Sequence, residues 1–269
     1  MTNASKNGRD PFVQEQPERW KSVMEELEWV IADCEKARQD PASSPTLKSG
    51  MTSDWIDKRF ERLLAWYSGG RPVAGLAPEA LEILCREWPA YVAAFPPGKS
   101  EGAAEWPGPS KMLRWASLLV LARAPAEAAR AFGAVQDRFI ADAGKPRDRI
   151  VEAMLAHLEP GKRRIATETV CWPDAYEALW QAIDPDNKQT DRPAQMKAFL
   201  NGWYGKMKNE AAAQSGRLEA GSTAYVGYWC LEAAAGAVVA GIDDSSFRNH
   251  PHYPADWADW ARRTTQASG

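Results

Sequence analysis

The sequence predicts an all-α protein, built as an irregular bundle of about ten antiparallel-paired helices. Apolar residues recur at a spacing near 3.6 along most of the 269-residue chain. Clusters of proline and glycine divide it into segments of helical length, and no stretch shows the sustained alternation of a hairpin. No fixed sequence period recurs, which disfavours a regular solenoid.

In the first half of the chain, each predicted helix has one apolar face and is bounded by residues that favour turns. Trp20, Leu27 and Ile31 share one face of the first helix. Residues 41–50 and 96–110 are rich in proline, serine or glycine and are expected to be loops. Pro78 suits the first turn of a helix. The predicted helices are 18–38, 52–68, 78–95, 110–123 and 125–142.

The second half shows the same pattern, with one helix that is apolar on nearly all sides. Residues 223–240 are expected to form it, buried at the centre of this half. The Gly144-Lys145-Pro146 step marks a predicted boundary between an N-terminal helical domain, 9–144, and a C-terminal helical domain, 147–263. The other predicted helices lie near 150–158, 176–183, 196–207 and 255–263.

The composition argues against several classes of function. Lysine and arginine number 33 against 36 acidic residues, so no basic bias indicates direct nucleic-acid binding. No apolar run approaches the ~20 residues that span a bilayer, and the polar start lacks a signal sequence. A cytoplasmic protein is therefore expected. No glycine-rich phosphate loop, protease motif or zinc-ligand spacing is present, so we expect no cofactor, no metal and no enzyme activity.

The stretch GIDDSSFRNHPHYP, residues 241–254, is the strongest candidate for chemistry. Asp243, Asp244, His250 and His252 could form a metal or acid–base site, or only a polar turn between two helices. The two histidines flank a proline, so helical geometry does not align them on one ion. A structured loop is the favoured interpretation, and such a loop can still be a partner-binding surface.

Glu232 is the other unusual residue, because it lies on the predicted all-apolar helix. A lone buried carboxylate costs several kcal/mol unless it is hydrogen-bonded or paired. A satisfied core network is the favoured interpretation. An acid with a perturbed pKa in a pocket and a contact with a partner remain the alternatives.

Negative charge is concentrated near the C-terminus. Residues 209–261 contain seven carboxylates and two arginines. An acidic face is most often a solvated surface, but it can also dock a basic partner. The predicted partner-binding residues are Asp243, Asp244, Arg248, Asp256 and Asp259.

Residues 225–262 resemble the C-terminal signature of the PoNi immunity proteins. The segments that carry the resemblance are Gly-Tyr-Trp (227–229), Glu-Ala-Ala (232–234), Asp-Asp-Ser-Ser (243–246) and Tyr-Pro-x-Asp (253–256). RDPF (9–12) and RFERLLAWYSGGRPV (59–73) give a looser likeness in the first half. His252 replaces an expected tyrosine, and Trp257 and Trp260 are also departures. The residues assigned to the structural motif are Gly227, Trp229, Glu232, Gly241, Tyr253 and Pro254.

The resemblance implies an all-helical immunity protein that binds and blocks a secreted antibacterial DNase, its cognate nuclease toxin. Such toxins are commonly delivered between bacteria by type VI secretion. Two rival hypotheses stay open at this point. One is a metal-dependent hydrolase using Glu232, Asp243, Asp244, His250 and His252. The other is a helical adaptor with a non-toxin partner. The oligomeric state does not follow from the sequence.

Overall fold

The computed structural model describes residues 9–98, 100–188, 191–207 and 226–263, and these contain helices but no strand. The all-α prediction is therefore confirmed. None of the helices in this part of the chain has both the length and the apolar character needed to cross a bilayer. The helices are α1 (Pro11–Glu15), α2 (Pro17–Gln39), α3 (Pro45–Ser68), α4 (Val73–Leu81), α5 (Trp88–Ala94), α6 (Pro109–Ala122), α7 (Ala126–Ala143), α8 (Arg149–Leu158), α9 (Pro173–Ile183), α10 (Arg192–Met207), α11 (Leu231–Val239) and α12 (Ala255–Arg262).

Several helices begin with a proline in their first turn. The missing N–H of proline costs nothing there, and its fixed φ already suits the helix. Helix α3 is an example that the sequence prediction placed too late, at residue 52. It begins at Pro45, because Ser44 caps it by accepting a 3.2 Å hydrogen bond from the N–H of Leu47. The expected loop at 41–50 is therefore shorter than predicted.

Helices α4 and α5 are joined by a π-helical segment, Glu82–Glu87, so that one helical stretch runs from Val73 to Ala94. Pro78 lies inside this stretch, so its predicted place in a first turn is wrong. The wider turn lies just before Pro89, which cannot donate to the carbonyl of Cys85 and would clash with it in a regular α-helix. The π-helical segment avoids that clash.

The first compact unit contains α1 to α5, residues up to Trp106, and the short segment Val226–Gly227. Helices α2 and α3 pack against each other. Arg59 of α3 donates from Nε and Nη2 to Oε1 of Glu79, at 2.9 and 2.8 Å, and its guanidinium lies 4.5 Å from the ring centroid of Trp55. This buried arginine is therefore paired and stacked, which offsets much of its desolvation cost.

The second unit contains α6 to α12, and its core is formed largely by α6 and α11. Every residue of α6 from Met112 to Ala122 is buried. Helix α11 was predicted to span 223–240, but it begins at Leu231, with residues 226–230 outside any helix and 221–225 outside the described residues. Gly227 has φ +99°, and the N–H of Cys230 donates to the carbonyl of His252, so this segment is held outside the helix.

The division between the two units falls at residues 106–107, and α6 and α7 lie in the second unit. The sequence placed the domain boundary at 144–147. A division into independently folding domains 9–144 and 147–263 stays a prediction.

Helix α11 packs unusually close to its neighbours at Gly236. A Cβ built there would lie 3.0 Å from Ile183 Cγ2 and Leu179 Cδ1, and 3.3 Å from Met196 Cε. Helix α11 can approach α9 and α10 this closely because the side chain at this position is a hydrogen atom.

We predict that Gly236→Val lowers the free energy of unfolding by about 1–3 kcal/mol, because the added atoms overpack this contact. Gly205→Ala is the matched control. It lies on α10, and a Cβ there meets no heavy atom within 4 Å. The control should stabilise by about 0.5–1 kcal/mol through helix propensity. Urea unfolding of both variants checks this. A free energy of unfolding that is the same in Gly236→Val as in wild type would contradict the close packing.

Candidate partner-binding site

The segment between α11 and α12, residues 240–254, is here called the signature loop. It leaves α11 through a Schellman motif, in which Gly241 N–H donates to Val238 O at 3.3 Å and Ile242 N–H donates to Ala237 O at 2.9 Å. Gly241 has φ +61°, the left-handed conformation that glycine adopts without strain. The chain is thereby turned sharply away from the buried helix.

Asp244 is the centre of a hydrogen-bonded network that holds the signature loop against α12. Its side chain is 8% exposed, and Oδ2 accepts from Tyr253 Oη at 2.9 Å and from Arg262 Nη1 at 2.6 Å. Arg248 Nη1 lies 3.4 Å from both carboxylate oxygens. Arg262 also donates to the carbonyl of Ile242 at 2.9 Å, so one arginine fixes both ends of the turn.

The charges around Asp244 decide its protonation. Burial alone would raise the pKa of Asp244, but hydrogen bonds from Arg262 and Tyr253 and the charges of both arginines outweigh burial and lower it below its usual value. Burial, followed by the charge of Asp244, raises the pKa of Tyr253. At neutral pH the network therefore contains a carboxylate and a neutral phenol.

A second ion pair extends the network along α12. Arg248 donates from Nη1 to Asp259 Oδ1 at 2.9 Å, and its Nη2 also contacts Asp259 Oδ2. These hydrogen bonds raise the pKa of Arg248. Arg262 was not among the predicted site residues, because it lies one position beyond the acidic segment 209–261. Two carboxylates of that segment, Asp244 and Asp259, are largely neutralised by arginines within the second unit.

The remaining predicted contact residues differ in exposure. Asp243 is exposed, and its two carboxylate oxygens accept from the N–H and the hydroxyl of Ser245, at 3.0 and 2.9 Å. Asp256, on the first turn of α12, is also exposed. Of the five residues predicted to contact a partner, Asp243 and Asp256 present the most accessible charge, whereas Asp244 is buried.

Glu232 lies at the start of α11 and is fully buried. Its Oε1 accepts from the hydroxyl of Tyr176 at 3.2 Å. Burial, followed by the charge of Glu232, raises the pKa of Tyr176 well above its usual value, and the buried Arg114 of α6 acts in the opposite direction. Its Oε2 is buried and has no hydrogen-bond partner among the described residues, so the carboxylate is only partly satisfied and falls short of the satisfied core network that was the favoured interpretation.

The two histidines belong to an aromatic cluster. His252 N–H donates to Nδ1 of His250 at 3.2 Å, and Nδ1 of His252 lies 3.0 Å from the carbonyl of Tyr228. The ring centroid of His252 lies 5.6 Å from that of Trp203. Burial, followed by the charges of His252 and Lys197, lowers the pKa of His250. A neutral His250 suits its role as acceptor.

The five residues of the hydrolase hypothesis are therefore divided between separate clusters. Glu232 bonds to Tyr176, Asp244 to the arginines, and the histidines to each other and to Tyr228. Within 9–98, 100–188, 191–207 and 226–263, no group of three His, Cys, Asp or Glu side chains is placed to hold a metal ion.

The signature loop also forms one wall of an open groove of about 850 Å³, here called the C-terminal groove. The ends of α6, α8, α11 and α12 supply the other walls. Asp243 and Arg123 are exposed side chains at this groove. Sequence reasoning had not selected Arg123, whose φ of +62° is rare for a residue other than glycine.

Residues 146–257 match the family model described as PoNe immunity proteins (PoNi), C-terminal. The match supports the resemblance of the C-terminal region to the PoNi immunity proteins. The family that this model describes is one of immunity proteins. The match includes the whole signature loop but only the first three residues of α12, so Asp259 and Arg262 lie beyond it.

The fold also has a counterpart among solved structures. The crystal structure of Protein PA2201 from Pseudomonas aeruginosa is similar to this chain with a TM-score of 0.68. It is 19% identical in sequence, and the match covers 97% of this chain and 92% of that one. Such a low identity supports the fold alone. No curated protein matched the sequence.

We predict that Asp244→Asn lowers the free energy of unfolding at pH 7 by about 2–3 kcal/mol, because charge-assisted hydrogen bonds are lost from a buried site. Asp243→Asn is the control, since its exposed carboxylate bonds only to Ser245 among the described residues. It should change stability by less than about 1 kcal/mol. Urea unfolding measures both, and equal losses would contradict the central role of Asp244.

The pH dependence gives a second test of Asp244. Its pKa is lowered in the folded state, so its stabilising contribution is present above the unfolded pKa of about 4 and is lost as the pH falls through the folded value. Wild-type protein should therefore lose stability below about pH 4 more steeply than Asp244→Asn. Parallel profiles from thermal unfolding between pH 3 and 7 would contradict this expectation.

Proposed function

We propose that this chain is an immunity protein that binds a cognate antibacterial nuclease and neutralises it by direct protein–protein contact. The match of residues 146–257 to the PoNi family is the observation that carries the proposal. The toxin would be a DNase secreted for competition between bacteria, by a type VI system. The immunity protein would act in the cytoplasm of the producing cell and would need no cofactor.

Exposed acidic residues support the proposed mode of binding. A nuclease must attract phosphate groups, so it presents basic side chains around its substrate cleft. Asp243 and Asp256 are accessible carboxylates that could face such a surface, directly over the cleft or beside it. Asp259 and Arg248 would contribute less, since they already pair with each other. Asp244 would act indirectly by fixing the loop that carries Asp243.

The decisive experiment combines the purified chain with the product of the adjacent gene, which we expect to be the cognate nuclease because the resemblance to PoNi proteins implies that the immunity gene lies beside the toxin gene. We expect a stoichiometric complex by calorimetry and loss of plasmid cleavage in its presence. If the chain binds the nuclease, the adaptor hypothesis with a non-toxin partner is rejected. If the chain neither binds the nuclease nor reduces its cleavage of plasmid DNA, the proposed function is wrong.

We predict that Asp243→Lys and Asp256→Lys each weaken nuclease binding about fivefold at low salt, mainly through slower association. Charges at the edge of an interface act chiefly by steering, so the difference from wild type should shrink as salt rises. Asp186→Lys reverses an exposed carboxylate on another loop and serves as the control. Surface plasmon resonance measures the rates, and equal affinities for all three variants would reject this contact surface.

A further inference from the structure

The C-terminal groove combines an apolar floor with charged side chains at its rim. Such a composition resembles the centre and edge of a protein–protein interface. The groove is open to solvent, whereas sites for small ligands bury 70–90% of the ligand. It therefore fits a segment of another protein better than a small molecule. The apolar floor consists of Val120, Ala124, Leu158, Val238, Ile242 and Ala261.

Two exposed charges of opposite sign stand at the rim of this groove. Asp243 bonds only to Ser245, and Arg123 makes no ion pair within the described ranges. The guanidinium of Arg123 lies 5.8 Å from the ring centroid of Trp260. By contrast, Asp244 and Arg262 at the same groove pair with each other. A partner segment would meet one cation and one anion that the fold does not already neutralise.

The backbone conformation of Arg123 also supports a role of this residue in binding. It is the residue that ends α6, with φ +62° and ψ +51°, and its N–H donates to the carbonyls of Leu119 and Val120. Glycine is the residue that adopts this conformation without strain at a helix C-terminus. Arginine is therefore less favourable for folding than glycine at this position, which favours a role of its side chain in recognition.

We propose that the C-terminal groove receives a loop of the cognate nuclease. The loop would insert an apolar side chain over Val238 and Leu158, with an acidic neighbour facing Arg123 and a basic neighbour facing Asp243. The proposal rests on the proposed function, since it names the surface through which the nuclease is bound. Charge complementarity at both sides of the groove would set the orientation of the bound loop and disfavour unrelated toxins.

Two adjacent valines provide a matched test. Val238 lines the groove, whereas Val239 is not among its lining residues, and both are half-exposed near the end of α11. Val238→Glu places a charge on the apolar floor and should weaken binding of the purified adjacent-gene nuclease at least about tenfold. Val239→Glu should leave affinity within about twofold of wild type. Thermal unfolding of both variants checks that the fold is retained.

Arg123→Gly gives an independent test in which stability and binding move in different directions. Glycine relieves the left-handed conformation, so the melting temperature should stay equal or rise. The nuclease affinity should fall about fivefold or more, because the rim cation is lost. A purely structural role for Arg123 would lower the melting temperature and leave the affinity unchanged, and that result would overturn its assignment to the interface.

The outcomes separate the groove from the proposed function. If wild type binds the nuclease and both valine variants bind it with the affinity of wild type, the groove is not the binding surface, but the proposed function stands. If wild type does not bind the nuclease, both proposals fail. If Val238→Glu converts a dimer of the isolated chain into a monomer, as seen by size-exclusion chromatography with light scattering, the groove is a contact between copies and the proposal is overturned.

Discussion

The ion pair between Asp244 and Arg262 is the interaction on which the candidate binding region depends. It joins the signature loop to the last turn of α12, and Tyr253 adds a hydrogen bond to Asp244 from the other end of the loop. A buried carboxylate is tolerated in a protein only when donors replace the water that it loses. Here two arginines and a phenol supply them, so the loop can leave a buried helix, reverse direction and still hold one conformation. Asp243, the preceding residue, is therefore also held in a fixed position.

Buried polar groups elsewhere in the second unit follow the same constraint. Glu232 at the start of α11 accepts from Tyr176 of α9, and Arg114 of α6 adds a compensating charge nearby. These groups come from three helices, but Glu232 Oε2 has no hydrogen-bond partner among the described residues, so this cluster is less completely satisfied than the network around Asp244. Gly236 allows α11 to pack closely against α9 and α10. The exposed ends of the helices of this core form walls of the C-terminal groove.

Periodicity and punctuation in the sequence predicted the all-α class and most helices, because amphipathic faces and proline-rich starts are local properties. The loop at 96–110 and the turn at Gly241 were predicted for the same reason. The start of α11 was missed because residues 226–230 are largely apolar like the helix, and the positive φ of Gly227 and the hydrogen bond from Cys230 N–H to His252 O, which keep them out of it, are not visible in the apolar pattern. Asp243 and Asp244 look alike in sequence, yet one is exposed and the other buried. Their difference arises from Arg262, eighteen residues away, which no local pattern identifies.

The separation of roles within this loop has a consequence for specificity. Asp244 and Tyr253 are needed for the fold, so a change at either destabilises the chain whatever partner is present. Asp243 and Arg123 carry charges that make no ion pair with other described residues. Substitutions at those two positions can therefore alter recognition at little expense to folding, and in the case of Arg123 even with relief of an unfavourable backbone conformation. If the proposed nuclease binds here, such a scaffold can alter its contact surface while the buried network stays constant.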